Sequence, residues 1–174
     1  MKDKIKSITL KEKGSTNEEI LSMKIATYNI WNSDEGMPYR SKYIVNEIQN
    51  VKADIICLQE VHNRKLAENI AISVGYQYWY FANYSNDEEG LCILSHIPFE
   101  ECDSWLNDSN AIYCSFLHEG KKVSVINVHL PWDSVAERER QIVSIVNAAE
   151  KNNMIMYIWQ ETLIAMIALM FNDF

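Results

Sequence analysis

The sequence predicts a mixed α/β layer architecture, one domain in which helices cover β-sheets. Three observations carry this. Elements run strand, helix, strand, helix, then several strands in succession, then a helix, an order that suits mixed layers better than a purely parallel doubly wound sheet. The chain has 174 residues, room for one domain and not comfortably two. Five glycines and three prolines are few for an all-β chain with many tight turns.

Taken in order, residues 1–22 read as an arm outside the core, mixed in charge and with one short apolar stretch at Ile8–Leu10. Lys24–Trp31 reads as the first strand. Arg40–Val51 places Tyr43, Ile44, Ile48 and Val51 on one helical face. Asp54–Leu58 is a short apolar run, the mark of a strand buried on both faces. Arg64–Val74 sets Leu66, Ala67, Ile70, Ala71 and Val74 along one stripe, and Gly75 suits the position just past a helix end. Tyr76–Tyr84 is an aromatic-rich strand, followed by an acidic loop at Ser85–Glu89. Strands then follow at Gly90–Ser95, Ala111–Leu117 and Lys122–Leu130, the last two joined by a turn at Glu119-Gly120. In the last strand Val123, Val125, Asn127 and His129 share one face, while Ser124, Ile126, Val128 and Leu130 share the other. Ser134-Val-Ala-Glu137 is a capping box, and Ile142, Ile145, Val146 and Ala149 line the buried side of the helix it opens.

Composition excludes several classes. With 48% apolar and 23% charged residues the chain is not disordered. A net charge of −8 argues against binding nucleic acid by bulk charge. It leaves open an acidic enzyme that meets phosphate through a divalent cation. The four cysteines, Cys57, Cys92, Cys102 and Cys114, form no CxxC pair, so a zinc site is not expected. No apolar leader opens the sequence, and the expected setting is cytoplasmic. Met154–Phe171 is short for a membrane span and carries Gln160, Glu161 and Thr162 near its middle.

Three polar residues end otherwise apolar strands: Asn29 after KIATY, Glu60 past DIICL, and His129 two residues after Asn127. Strand ends collect functional groups in α/β proteins because the strand holds the backbone while the side chain reaches a crevice. Each also has a plain structural reading, as a turn cap, a solvated loop acid and a core histidine. His62, His96 and His118 lack such a setting and read as structural.

The stretches MKIATYNIW, ADIICLQEV, GLCILSHIPF and VSVINVHLP, in this order and spacing, resemble the endonuclease/exonuclease/phosphatase family over Met23–Asn153. The resemblance implies a four-layer α/β/β/α sandwich of the deoxyribonuclease-I-like type and metal-dependent phosphoester hydrolysis with Mg²⁺ or Mn²⁺. It implies that Glu60 binds the metal, that Asn29 lies beside metal and phosphate, and that His129 hydrogen-bonds the phosphate. Asn127 is implied as catalytic support behind them. The residue types agree: a hard cation takes carboxylate oxygens and keeps several waters, and it neutralises phosphoryl charge.

The sequence also departs from the family. After the helix ending near Lys151 the family continues into a strand and Gly-Asp-Phe-Asn, and later an Asp-His pair; neither is present here. The domain reading is therefore an N-terminal arm, 1–22, the N-terminal part of a family domain, 23–153, and a non-family tail, 154–174. Read from the third base of each codon, the tail from Met154 permits Asp-Tyr-Val-Tyr-Leu-Ala-Gly-Asp-Phe-Asn, which points to an out-of-frame tail on an incomplete sandwich. The expected chain is then an inactive or weakly active fragment that binds Mg²⁺ or Mn²⁺ weakly. A second reading is a non-catalytic phosphate- or partner-binding module. The substrate is a phosphoester of unread type, with no nucleic-acid or membrane signal. Residues 154–170 are expected to be helical or disordered and not a central strand, since Met, Leu, Ala, Gln and Glu favour helix. The sheet face around Val123 and Val125 is expected to be uncovered, with self-association through it.

Overall fold

The computed structural model describes residues 5–13, 19–37, 39–85, 87–104, 110–118, 120–151, 157–162 and 165–172. In chain order the elements are β1 (Lys6–Lys13), β2 (Glu19–Asn29), α1 (Tyr39–Val51), β3 (Ile55–Val61), α2 (Arg64–Val74), β4 (Tyr78–Asn83) and β5 (Gly90–Ser95). They continue with β6 (Phe99–Ser104), β7 (Ala111–His118), β8 (Lys121–His129), α3 (Val135–Lys151), β9 (Tyr157–Thr162) and β10 (Ala165–Asn172). Two five-stranded sheets result, ordered β1-β2-β3-β5-β4 and β6-β7-β8-β10-β9. Among the described residues only β2 and β3 pair in parallel, with α1 as the crossover between them. The other pairs are antiparallel.

The period-two alternation of the strands divides their side chains between two interfaces. Ile56, Leu58, Cys92 and Leu94 face outward to α1 and α2, meeting Ile44, Ile48, Ala67 and Ile70. Ile25, Ile55, Cys57, Leu91 and Ile93 face the second sheet and meet Ile112, Cys114, Phe116, Val123 and Val125. On the far side of the second sheet Tyr113, Ile126 and Val128 pack on Ile145 and Ala149 of α3. The four layers are therefore helix, sheet, sheet, helix. The two helix starts have side-chain caps: Asn63 Oδ1 accepts from Leu66 N at 2.9 Å, and Ser134 Oγ accepts from Glu137 N at 3.2 Å. Gly75, at φ 82°, takes the left-handed position that ends α2. Gly90 admits no side chain at all, since an added Cβ would lie 2.0 Å from the Ala82 carbonyl oxygen on the neighbouring strand.

Three expectations change and one strand is added. Residues 6–13, read as lying outside the core, form an edge strand, with Ile8 and Leu10 packed on the inter-sheet core. Val123 and Val125 are fully buried, because the first sheet already covers them. Phe99–Ser104 is a strand that its three acids conceal; Glu101 and Asp103 are exposed and Cys102 half-buried, the alternation of an edge strand. The tail is strand and not helix: β10 pairs with β8 over eight residues, from Ala165↔His129 to Asn172↔Lys122, and β9 pairs with β10. The free edge of β8 offers a row of backbone donors and acceptors, and satisfying them outweighs local helix preference. Such pairing weighs against an out-of-frame tail. Glu119 of the expected turn and residues 152–156, where the tail begins, lie outside the described residues.

One polar link crosses the core. Asn127, fully buried on β8, donates from Nδ2 to the carbonyls of Leu58 (2.8 Å) and Cys92 (3.0 Å) on the first sheet. Its Oδ1 accepts from Gln59 Nε2 at 2.7 Å, and the same Gln59 nitrogen reaches Thr27 Oγ1 at 3.0 Å. Register between β3 and β5 slips between Leu58 and Val61, so Gln59 and Glu60 form a bulge. Asn127→Ala removes the side-chain donor from two buried carbonyls, while the Gln59 amide keeps Thr27 Oγ1 and the Cys57 carbonyl. At roughly 1–3 kcal/mol per stranded group, not fully additive, urea denaturation of this variant is expected to show a loss of about 2–5 kcal/mol. A loss below about 0.5 kcal/mol, the level of an ordinary surface substitution, would mean that the link does not hold the sheets.

Candidate functional site

The bulge delivers Glu60 to the site. Its φ of 56° lies in the left-handed region, uncommon for a side-chain-bearing residue and often associated with functional strain. From there the carboxylate turns across the end of β2: Asn29 Nδ2 donates to Oε1 at 2.7 Å, and the Asn32 backbone N–H donates to Oε2 at 3.1 Å. Asn29 Oδ1 accepts from Trp31 N at 2.8 Å, fixing the amide's orientation. His129, at the end of β8, brings Nε2 to 3.6 Å from Glu60 Oε1. Asn29, Glu60 and His129 thus converge at one end of the facing sheets, carried by three strands. Asn127 is not among them at the surface. Both ends of its amide are used in the core, and it reaches the site only through Gln59.

The loop after β2 is held by Arg40 at the start of α1. Its guanidinium donates to the carbonyls of Trp31, Ser33 and Glu35 and lies 4.9 Å from the Trp31 ring centroid. This clamp fixes the segment that presents the Asn32 N–H to Glu60.

Four further neighbours complete the cluster, none of them assigned to a site by the sequence. Asn32 Nδ2 donates to Glu89 Oε2, and Asn32 Oδ1 lies 3.0 Å from His62 Nδ1. Tyr84 stacks on His129 with ring centroids 5.8 Å apart, and its hydroxyl lies 3.5 Å from Glu60 N. The second acid beside Glu60 is therefore Glu89. Glu89 immediately precedes the strand at Gly90, the same strand-edge signal that marks Glu60, but it is masked by the run of acids before it. His62, read as structural, touches this cluster through Asn32. His96 is structural, stacked on Tyr76 at 4.0 Å. His118 ends β7, away from the cluster in sequence.

Electrostatics follow from partial burial. Burial pushes the Glu89 carboxyl above its ordinary value, the Asn32 hydrogen bond opposes this, and the charges of Glu60 and Asp87 add to the rise. Burial also raises the Tyr84 hydroxyl, so it stays protonated. Burial holds the His129 imidazole below its ordinary value, with the Glu60 carboxylate pulling the other way. His129 Nδ1 is buried without a partner among the described residues. No group of three His, Cys, Asp or Glu residues is spaced to hold a metal among the described residues. The donor set still fits a hard divalent cation that keeps most of its waters: Glu60 offers a carboxylate, and a second carboxylate stands across Asn32, raised partly by the first one's charge. A cation would relieve that repulsion.

The crystal structure of ANGEL2, a 2′,3′-cyclic phosphatase, superposes with a TM-score of 0.61 at 16% sequence identity, over 76% of this chain and 48% of that one. The chain thus spans about half the length of that protein, and the likeness is one of fold. No curated protein matches the chain. The model of the Endonuclease/Exonuclease/phosphatase family matches residues 26–152, from within β2 to just past α3, and leaves β9 and β10 outside it. On that match the chain belongs to the Endonuclease/Exonuclease/phosphatase family.

Proposed function

We propose that this chain carries part of the site of a metal-dependent phosphoester hydrolase and that, alone, it turns over phosphoesters weakly or not at all. The observation that carries the reading is the convergence of Asn29, Glu60 and His129 from both sheets, with 2.7 Å and 3.6 Å separations about one carboxylate. Glu60 would hold Mg²⁺ or Mn²⁺, which supplies charge neutralisation on the phosphoryl oxygens. Asn29 offers an uncharged amide beside it. His129, favoured as neutral by burial, presents one ring nitrogen toward the carboxylate and would hydrogen-bond a phosphate oxygen. Asn127 acts on the site only by fixing Gln59 and the bulge. The Gly-Asp-Phe-Asn and Asp-His motifs of the family are missing from the sequence, and losing a general base alone costs about 10²–10⁴ in rate. Residues 23–153 form the functional unit in this reading, in a cytoplasmic setting.

A second reading, a non-catalytic phosphate- or partner-binding module, is favoured by one feature. Both Glu60 oxygens already accept protein hydrogen bonds, from Asn29 and Asn32. The two readings separate by assay with Mg²⁺ or Mn²⁺ on bis-p-nitrophenyl phosphate and on a 2′,3′-cyclic nucleotide. The hydrolase reading expects slow turnover that Glu60→Gln removes. Phosphate binding without any Glu60-dependent turnover would favour the module. Calorimetry is expected to give Mg²⁺ binding weaker than micromolar; micromolar, Glu60-dependent binding would contradict the reading of a partial site.

His129 also predicts a pH dependence in the metal-free chain. Its folded-state affinity for a proton is below the unfolded value of about 6.5, so the unfolded chain binds more protons in that window. The stability that His129 contributes is present above about pH 6.5 and is lost as pH falls toward its lowered folded value. Thermal melts are expected to drop from pH 7.5 to 5.5 more steeply in the native chain than in His129→Gln. Equal slopes would show that the imidazole is not held neutral. Glu60→Gln should lower the His129 proton affinity further, seen by NMR titration, because it removes the charge that favours the imidazolium.

A further inference from the structure

Of the four thiols, Cys57 and Cys92 lie fully buried on the central strands of the first sheet. Cys102 and Cys114 are placed differently. They sit directly opposite each other on β6 and β7. Their Sγ atoms are 2.7 Å apart, nearer than unbonded sulfurs normally pack and longer than the ~2.05 Å of a disulfide. Directly opposed residues of an antiparallel pair have Cα atoms about 4.5 or 5.5 Å apart, and both values fall inside the disulfide range of about 4.4–6.8 Å. The strand spacing therefore suits a bridge between them. Access is graded as well: Cys102 is half-buried on an edge strand whose one partner is β7, and Cys114 is buried behind it.

We propose that Cys102 and Cys114 form a dithiol–disulfide pair that low-molecular-weight disulfides such as oxidised glutathione convert to an intrachain bridge. The pair stands apart from the phosphoester site and does not depend on that reading. The Cys102 thiolate attacks one sulfur of the disulfide, forming a Cys102–glutathione bond and releasing one reduced glutathione. Cys114 Sγ then attacks Cys102 Sγ, the Cys102–Cys114 bond forms, and a second reduced glutathione leaves. Two electrons pass from the protein pair to the glutathione disulfide, and the two thiol protons end on the two released thiols. In the reduced pair burial and the neighbouring Cys102 keep the Cys114 thiol protonated, so the first attack falls to Cys102; in the mixed disulfide the attack of Cys114 is intramolecular, and its proton passes to the departing glutathione sulfur. The bridge ties the edge strand β6 to β7 and closes the segment between them.

The experiment is incubation of the full chain with excess oxidised glutathione at neutral pH, acid quench, alkylation and peptide mapping. The expected result is loss of two hydrogens per chain, with one link between the Cys102 and Cys114 peptides, and an upward shift of the thermal midpoint. Cys57 and Cys92 should react with alkylating agent only after denaturation. Cys114→Ser should retain glutathione on Cys102, and Cys102→Ser should take up none. The wild-type map decides the matter if either variant fails to fold. Both thiols remaining free, a persistent glutathione adduct on wild-type Cys102, or links between chains would each overturn the proposal.

Discussion

The side-chain amide of Asn127 crosses from the second sheet to the first and donates to the Leu58 and Cys92 carbonyls. Those carbonyls belong to the two strands whose ladder slips between Leu58 and Val61. A bulge in the middle of a buried sheet would normally leave backbone groups unpaired, at a cost comparable to a lost hydrogen bond each. Asn127 supplies donors there, and its own oxygen is satisfied by Gln59. One residue thus joins the sheets and stabilises the irregularity that makes the site.

The geometry at the surface follows from this. With Gln59 drawn inward, Glu60 takes a left-handed backbone conformation and its carboxylate turns toward β2 and β8. Asn29 and Asn32 then meet it from the end of β2 and the loop after it, and His129 from the end of β8. Tyr84 closes the side of His129 by ring stacking, and burial of both rings keeps the pair uncharged. The strain at residue 60 is sustained by the hydrogen bonds that Asn29 and Asn32 give its carboxylate and by those of Gln59 and Asn127 behind it.

Much of this was legible in the sequence. Short apolar runs bounded by Asn29, Glu60 and His129 marked strand ends, and those ends meet. Asn63 and Gly75 framed α2, and the face shared by Val123, Val125 and Asn127 is the inter-sheet face. What stayed hidden has physical causes. Glu89 comes to Glu60 through a loop whose path depends on Asn32, a contact 57 residues apart that no periodicity encodes. β6 is disguised by exposed acids, and the strands after α3 form by pairing with the open edge of β8 against their own helix preference. Long-range pairing decides these segments, and local sequence does not.

The central claim is that the Asn127 link enforces the backbone strain at Glu60. It is tested most directly by the stability of Glu60→Gly relative to Glu60→Ala, in urea, in two backgrounds. With Asn127 present the account predicts that glycine exceeds alanine by about 1 kcal/mol, since only glycine adopts the left-handed conformation without penalty. In an Asn127→Ala background the bulge can relax, and that advantage should shrink toward zero. An alanine variant as stable as glycine with Asn127 present, or a glycine advantage unchanged on its removal, would contradict the account.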